Sequence, residues 1–165
     1  MNEFLRRPQP AVGWAAALRA GLGGGGAIAV LLALAHVSQQ PWLMAPFGAS
    51  CVLLFSAPAS PLSQPANVIG GHLVATAIGL AAVHWLPDAA WAMPLAVALA
   101  IAAMAVLRVT HPPAGADPLL VLIARPEWSF LLFPVAAGSL ALVLLAWFVH
   151  RLPGGDRYPL PRSTT

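Results

Sequence analysis

Thr110-His111-Pro112-Pro113-Ala114-Gly115-Ala116-Asp117-Pro118 is a polar, proline-punctuated break between two long apolar runs. An earlier stretch, Ala45-Pro46-Phe47-Gly48-Ala49-Ser50, carries the same core, Pro-x-Gly-Ala followed by a residue able to cap a helix. Pro46 and Pro113 lie 67 residues apart, and the same interval sets Leu53 on Leu120, Gly71 on Gly138 and Leu73 on Leu140. This register implies an internal repeat with one interrupted helix in each half. Matched interruptions of that kind are the best sequence pointer to a transporter's binding site.

Working outward, the composition says what surrounds the two breaks. Of 165 residues, 59% are hydrophobic and 8% charged, with a mean hydropathy of +0.80. Soluble domains carry roughly 25% charged residues, so this chain belongs in a bilayer. A spanning helix needs about 20 apolar residues, which allows four to six segments and no second domain. The net charge of +3 comes from arginine alone, as the chain has no lysine. Arg6, Arg7, Arg19, Arg151, Arg157 and Arg162 flank apolar segments near the two ends, so they suggest cytoplasmic anchoring and no nucleic-acid partner. The lone Cys51 excludes an internal disulfide. Ala33-x-Ala35 follows an apolar run like a signal cleavage site, but an uncleaved first helix is expected.

Residues 1–13 read as a cytoplasmic arm, 14–150 as a single transmembrane domain and 151–165 as a mobile cytoplasmic tail. The first repeat, about 14–86, has a long span from Trp14 to Val37 and a short helix starting at Cys51 with Ser50 as its cap. Its second long span runs from Val68 to Trp85. The second repeat, about 91–149, has long spans at Trp91–Val109 and Ser129–Val149, around a short helix that Asp117 caps and Arg125-Pro126 ends. The expected fold is therefore all-α and polytopic: four long spans plus two short half-helices in two long–short–long repeats. If the short segments cross, the halves are inverted, Arg108 joins the inner arginines, and Asp88 and Arg125 face outward. If they re-enter, there are four crossings. Charge counting favours six, and the chain ends are cytoplasmic either way.

Irregular backbone at membrane depth is tolerated only inside protein or beside a water-filled cavity. The first N–H groups of a helix lack partners and, with the helix dipole, favour an anion. Gly48 and Gly115 let the backbone approach a ligand, while Pro46, Pro112 and Pro113 hold the entering chain extended. Asp117 opposes an anion at that place, and three roles are open to it: a cap, a partner of Arg108 or His111, or a protonation site. His111 can change charge near neutral pH. His72, one turn into its helix and close to Asn67, is the next candidate. His36, His84 and His150 read as interfacial. No His-x-x-x-His or Cys-x-x-Cys spacing supports a metal. Ser50, Thr110 and Asn67 can supply neutral hydrogen bonds, Ala49 lies between Gly48 and Ser50, and Arg108 reads as a snorkelling interfacial residue. Ser50 lacks a Gly-x-Ser-x-Gly context, so a hydrolase is not expected.

The Thr110–Pro118 stretch resembles the signature of the HPP family of integral membrane proteins. Pro46–Ser50, Pro65-Ala66-Asn67-Val68-Ile69-Gly70-Gly71-His72 and Ala75-Thr76-Ala77-Ile78-Gly79 resemble its other common stretches, so the resemblance covers about residues 14–150. It implies four membrane spans, and plastid and cyanobacterial members of the family have been linked to nitrite transport. Some relatives add a pair of CBS domains; this chain stops soon after its last span, and none is expected here. Residue chemistry and resemblance together predict a transporter or channel for a small anion, nitrite first, with protons as a candidate second partner and with no cofactor; the alternative is a membrane-embedded enzyme or a structural or assembly subunit using the His-Pro-Pro region. The predicted setting is a bacterial inner membrane. The glycine-rich first span and Gly70-Gly71 offer contact surfaces from which a homo-oligomer is expected.

Overall fold

The computed structural model describes residues 3–5, 7 and 9–161; Arg6 and Arg162 lie outside them. The described chain is helical and contains no strand. Its six principal helices are α1 (Trp14–Ser38), α2 (Pro46–Ser56), α3 (Pro65–Trp85), α4 (Ala92–Val106), α5 (Asp117–Ala124) and α6 (Ala137–Val149). Three segments have the length and apolarity to cross a membrane: Trp14–Ser38, Pro65–Trp85 and Trp128–Val149. Apolar side chains remain on the outside, as a lipid-facing surface requires; Leu22 is 67% and Val37 82% exposed.

Several expected boundaries shift. The helix expected to start at Cys51 begins at Pro46, where the missing N–H costs nothing at the first helical position. Ser50 is thus inside α2 and caps nothing. Ala116, not Asp117, is the residue before α5, and no side chain caps that helix. The expected long span 91–109 is a regular helix of only 15 residues, about 22 Å at 1.5 Å per residue. It stops because Arg108 turns left-handed (φ 60). Val109 N–H then reaches the Met104 carbonyl (2.9 Å) and Arg108 N–H the Ala105 carbonyl (3.1 Å), the pair of bonds that closes a Schellman C-cap. In the last segment Phe133 is non-helical (φ −127, ψ 123), so regular helix begins only at Ala137.

The packing is crosswise. α3 lies on α4 and α5, whereas α6 lies on α1 and α2. Two glycines make this possible. A Cβ on Gly71 would meet Val109 O at 3.0 Å and His111 Cβ at 2.6 Å, and one on Gly138 would meet Trp42 O at 2.7 Å and the Phe47 ring. Gly70 is likewise filled by Val109, and Gly23 and Gly24 by Phe55 and Cys51. These glycines are filled from within the chain, whereas Gly25 and Gly26 face open space.

The tail also departs from expectation. Tyr158 is buried, its ring lies 5.7 Å from that of His150, and Leu160 N–H donates to Gln64 Oε1 (2.8 Å). Burial pushes the Tyr158 phenol above its usual range. Arg19 lies against Gly154, and Asn67 donates to the Thr110 carbonyl (2.9 Å). The arm, the tail, the start of α3 and the Arg108 turn therefore share one end of the molecule. Asp88 and Arg125, paired at 3.0 Å and both exposed, are joined beyond the last turns of α3 and α5. In water such a pair is worth roughly 0–1 kcal/mol.

Candidate functional site

The two breaks meet. Pro46 and Ala49 of α2 and Pro112 and Pro113 of the turn before α5 line one open-sided cavity of about 710 Å³, with Val52, Leu53, Ala116 and Leu120; Ala49, Val52, Pro112 and Ala116 are exposed along it. Each lining side chain is apolar, which the sequence did not lead us to expect of an anion site. Gly48 is not among them and lines a separate groove beside α1. Gly115 is half-buried and outside the lining.

Ser50, His111 and Asp117, the chain neighbours of Ala49, Pro112 and Ala116, are buried beside this wall, and His72 and Thr76 of α3 join them there. Ser50 Oγ sits between two imidazoles, 2.8 Å from His72 Nε2 and 2.9 Å from His111 Nε2. The other nitrogen of His72, Nδ1, is 2.8 Å from Asp117 Oδ2, which also accepts from Thr76 Oγ1 at 3.2 Å. His111 Nδ1 is 2.8 Å from the Leu62 carbonyl. Ser50, His72, Thr76, His111 and Asp117 all have 0% exposure. Asp117 Oδ1 has no hydrogen-bond partner among the described residues.

Local sequence explains this convergence. His72 and Thr76 are one turn apart and so share a face of α3. Gly71, lacking a Cβ, lets the His111 backbone reach that face. The proline pair after His111 holds it extended (φ −135, ψ 104), aiming its ring across at α2. The two imidazoles meet edge-on, with centroids 5.0 Å apart, and Phe47 closes His72 from the other side at 5.1 Å. Because the Leu62 carbonyl can only accept, His111 must carry a proton on Nδ1.

Of the predicted site residues, Ser50, His72, His111 and Asp117 come together directly. Asn67 and Thr110 meet each other at the adjoining end, and Pro46, Ala49, Pro112 and Pro113 form the cavity wall. Asp117 pairs with His72, a partner not among the three roles left open to it, and neither Arg108 nor His111 bonds to it. Thr76 and the Leu62 carbonyl were missed. Thr76 could have been found from its one-turn spacing to His72, but no signal in the sequence marks a main-chain carbonyl.

Helices interrupted at depth around a buried ionisable chain define the class: a polytopic membrane protein with an internal polar site. The comparisons agree on the membrane class. The family described as "HPP, transmembrane region" matches residues 9–159, and the chain belongs to that family. Two Dictyostelium discoideum proteins, each named only as a transmembrane protein, are 37% and 34% identical to it over 144 residues. The matches take in 79% of this chain and 46% and 50% of theirs, so the chain spans about half the length of these relatives. No solved structure matches it.

Proposed function

We propose that the chain is a transporter of a small anion, with nitrite the leading candidate, and that solute passes through the cavity shared by the two breaks. The observation that carries this reading is the buried chain Asp117–His72–Ser50–His111 directly behind that cavity. Ionisable groups at membrane depth are costly and are kept for pathways and relays. With an apolar cavity wall, the anion's charge is balanced by the imidazoles behind it. Uptake of nitrite and competing anions into proteoliposomes, with and without a proton gradient, tests the reading. Flux no greater than in empty vesicles would reject it.

The crosswise packing supports two inverted repeats. Gly71 and Gly138 are 67 residues apart, and so are the main-chain oxygens they face, those of Val109 and Trp42. Each half therefore seats its last helix on the other half's break, as a two-fold axis in the membrane plane demands. In this reading the short segments cross, giving six crossings, with Arg7, Arg19, Arg108, Arg151 and Arg157 on the cytoplasmic side of a bacterial inner membrane. An impermeant thiol reagent should then label Asp88→Cys in intact cells but Asp156→Cys only after permeabilisation. The reverse pattern would overturn the orientation. One protomer gives a thin wall around the cavity, so we also propose a homo-oligomer, which the mass of the detergent-solubilised protein would establish.

Ser50, His72 and Asp117 also have the spacing of a hydrolase triad, which favours a second reading, a membrane-embedded hydrolase. Chemistry argues against it. Ser50 is inside a helix, with no exposed surface, and an oxyanion needs preorganised donors beside the nucleophile. A fluorophosphonate probe should therefore leave Ser50 unlabelled in detergent; stoichiometric labelling would make the enzyme reading the better one.

A further inference from the structure

We infer that the Ser50-centred chain is a proton-binding site with two fully bonded loading states, and that the Ser50 hydroxyl switches between them. Counting hydrogens along the chain leads to this. Four links run from the Leu62 carbonyl through His111, Ser50 and His72 to Asp117. Each link needs one hydrogen. Two neutral imidazoles and one hydroxyl bring one each, while a carbonyl and a carboxylate bring none. The chain is one proton short.

A fourth proton completes every link. It also cancels the charge of Asp117, leaving a neutral chain, the form that full burial favours. It resides on the His72–Asp117 pair, either as imidazolium and carboxylate or with Asp117 donating to Nδ1 and Nε2–H pointing at Ser50. Ser50 then donates to His111 Nε2. With only three protons, two Nε2 lone pairs face a single hydroxyl hydrogen and one of them stays buried and unpaired, which is unfavourable.

A fifth proton can also be held. Both Nε2 atoms then donate to Ser50 Oγ, which has two lone pairs to receive them. The serine hydrogen needs a third acceptor, and the Pro46 carbonyl lies 3.3 Å from Oγ. Every link survives and the chain carries one positive charge, matched to a monovalent anion in the cavity at Pro46 and Pro112. The groups facing the cluster are Ser50 and Phe47 from α2, His72 and Thr76 from α3, His111 from the break and Asp117 from α5. α6 contributes only Gly138, against Phe47, and Ser139, whose hydroxyl is bound to the Ala136 carbonyl. Among the described residues no arginine bonds to any member, so no fixed cation competes with the added proton. Asp117 Oδ1, without a partner, is where a proton can enter without breaking an existing bond.

Proton coupling of transport rests on the function proposed above; the loading states do not, and the test separates the two. The full chain carrying ¹⁵N-histidine in nanodiscs is titrated from pH 8 to pH 5, with His72→Gln and His111→Gln used to assign the rings. At pH 8 His111 should show one protonated nitrogen, Nδ1, and His72 a proton shared with Asp117. On acidification His111 Nε2 should gain a proton while His72 keeps its own. Ser50→Thr should retain this step. Ser50→Ala removes the common acceptor and should move the step to lower pH by about one unit, a tenfold loss of proton affinity. Rings that titrate alike in wild type and Ser50→Ala, or a His111 that gains no proton by pH 5, would overturn the inference. So would metal-type shifts at both Nε2 atoms that vanish with chelator. Proton loading without anion uptake would leave the site standing and remove the transport reading.

Discussion

His111→Ala should reduce nitrite flux in proteoliposomes to the level of empty vesicles. The substitution removes two of the four links at once, leaving the part-buried Leu62 carbonyl without its partner and Ser50 with His72 and the Pro46 carbonyl alone. Losing a hydrogen-bond partner away from water costs about 1–3 kcal/mol. None of the three long spans is altered, so the protein should still insert and purify as a single species. His111→Gln separates packing from proton chemistry: its amide can replace one or both hydrogen bonds but cannot change charge between pH 5 and 8. We expect normal folding and at least tenfold less flux. Wild-type flux in either variant would remove His111 from the pathway.

The second large effect concerns the two glycines that seat each half on the other. Gly71→Ala and Gly138→Ala place a methyl group against main-chain oxygens, where a flexible side chain cannot yield. Overpacking of this kind costs typically about 1–3 kcal/mol, and both variants should unfold several degrees below wild type in detergent. Gly25→Ala and Gly26→Ala are the controls, because nothing lies within 4 Å of a Cβ there. Replacing a mid-helix glycine adds up to about 1 kcal/mol of helix preference, so these should be neutral or stabilising. Gly71→Ala should also lower flux, since His111 stands on that glycine. Equal melting of all four variants would show that the close seating is not what holds the halves together.

The sequence made much of this legible, for reasons that can be stated. Long apolar runs reveal α1, α3 and the Trp128–Val149 segment because hydrocarbon demands about 20 such residues. Prolines reveal the breaks because they remove donors. The 67-residue register paired Ser50 with Asp117, and these two residues take opposite edges of the same ring, Nε2 and Nδ1 of His72. What they do there was not legible. Both were expected as helix caps, since Ser and Asp before an apolar run are the usual signal, and only the fold brings a histidine from 22 residues beyond Ser50 and 45 before Asp117 between them. The early end of α4 was hidden because Arg108, with a side chain that disfavours the left-handed turn, occupies the place where glycine is the common marker. The docked tail was hidden because Pro, Gly and Arg suggest a mobile segment, while the contacts that hold it come from Gln64 and His150.

That docking has a mechanical meaning. The amide of Leu160 is tied to Gln64, and Gln64 is two residues from Leu62, whose carbonyl fixes the tilt of the His111 ring. A pull on the chain after Pro161 is thus delivered, through a short tether, to the one peptide oxygen that aims that imidazole.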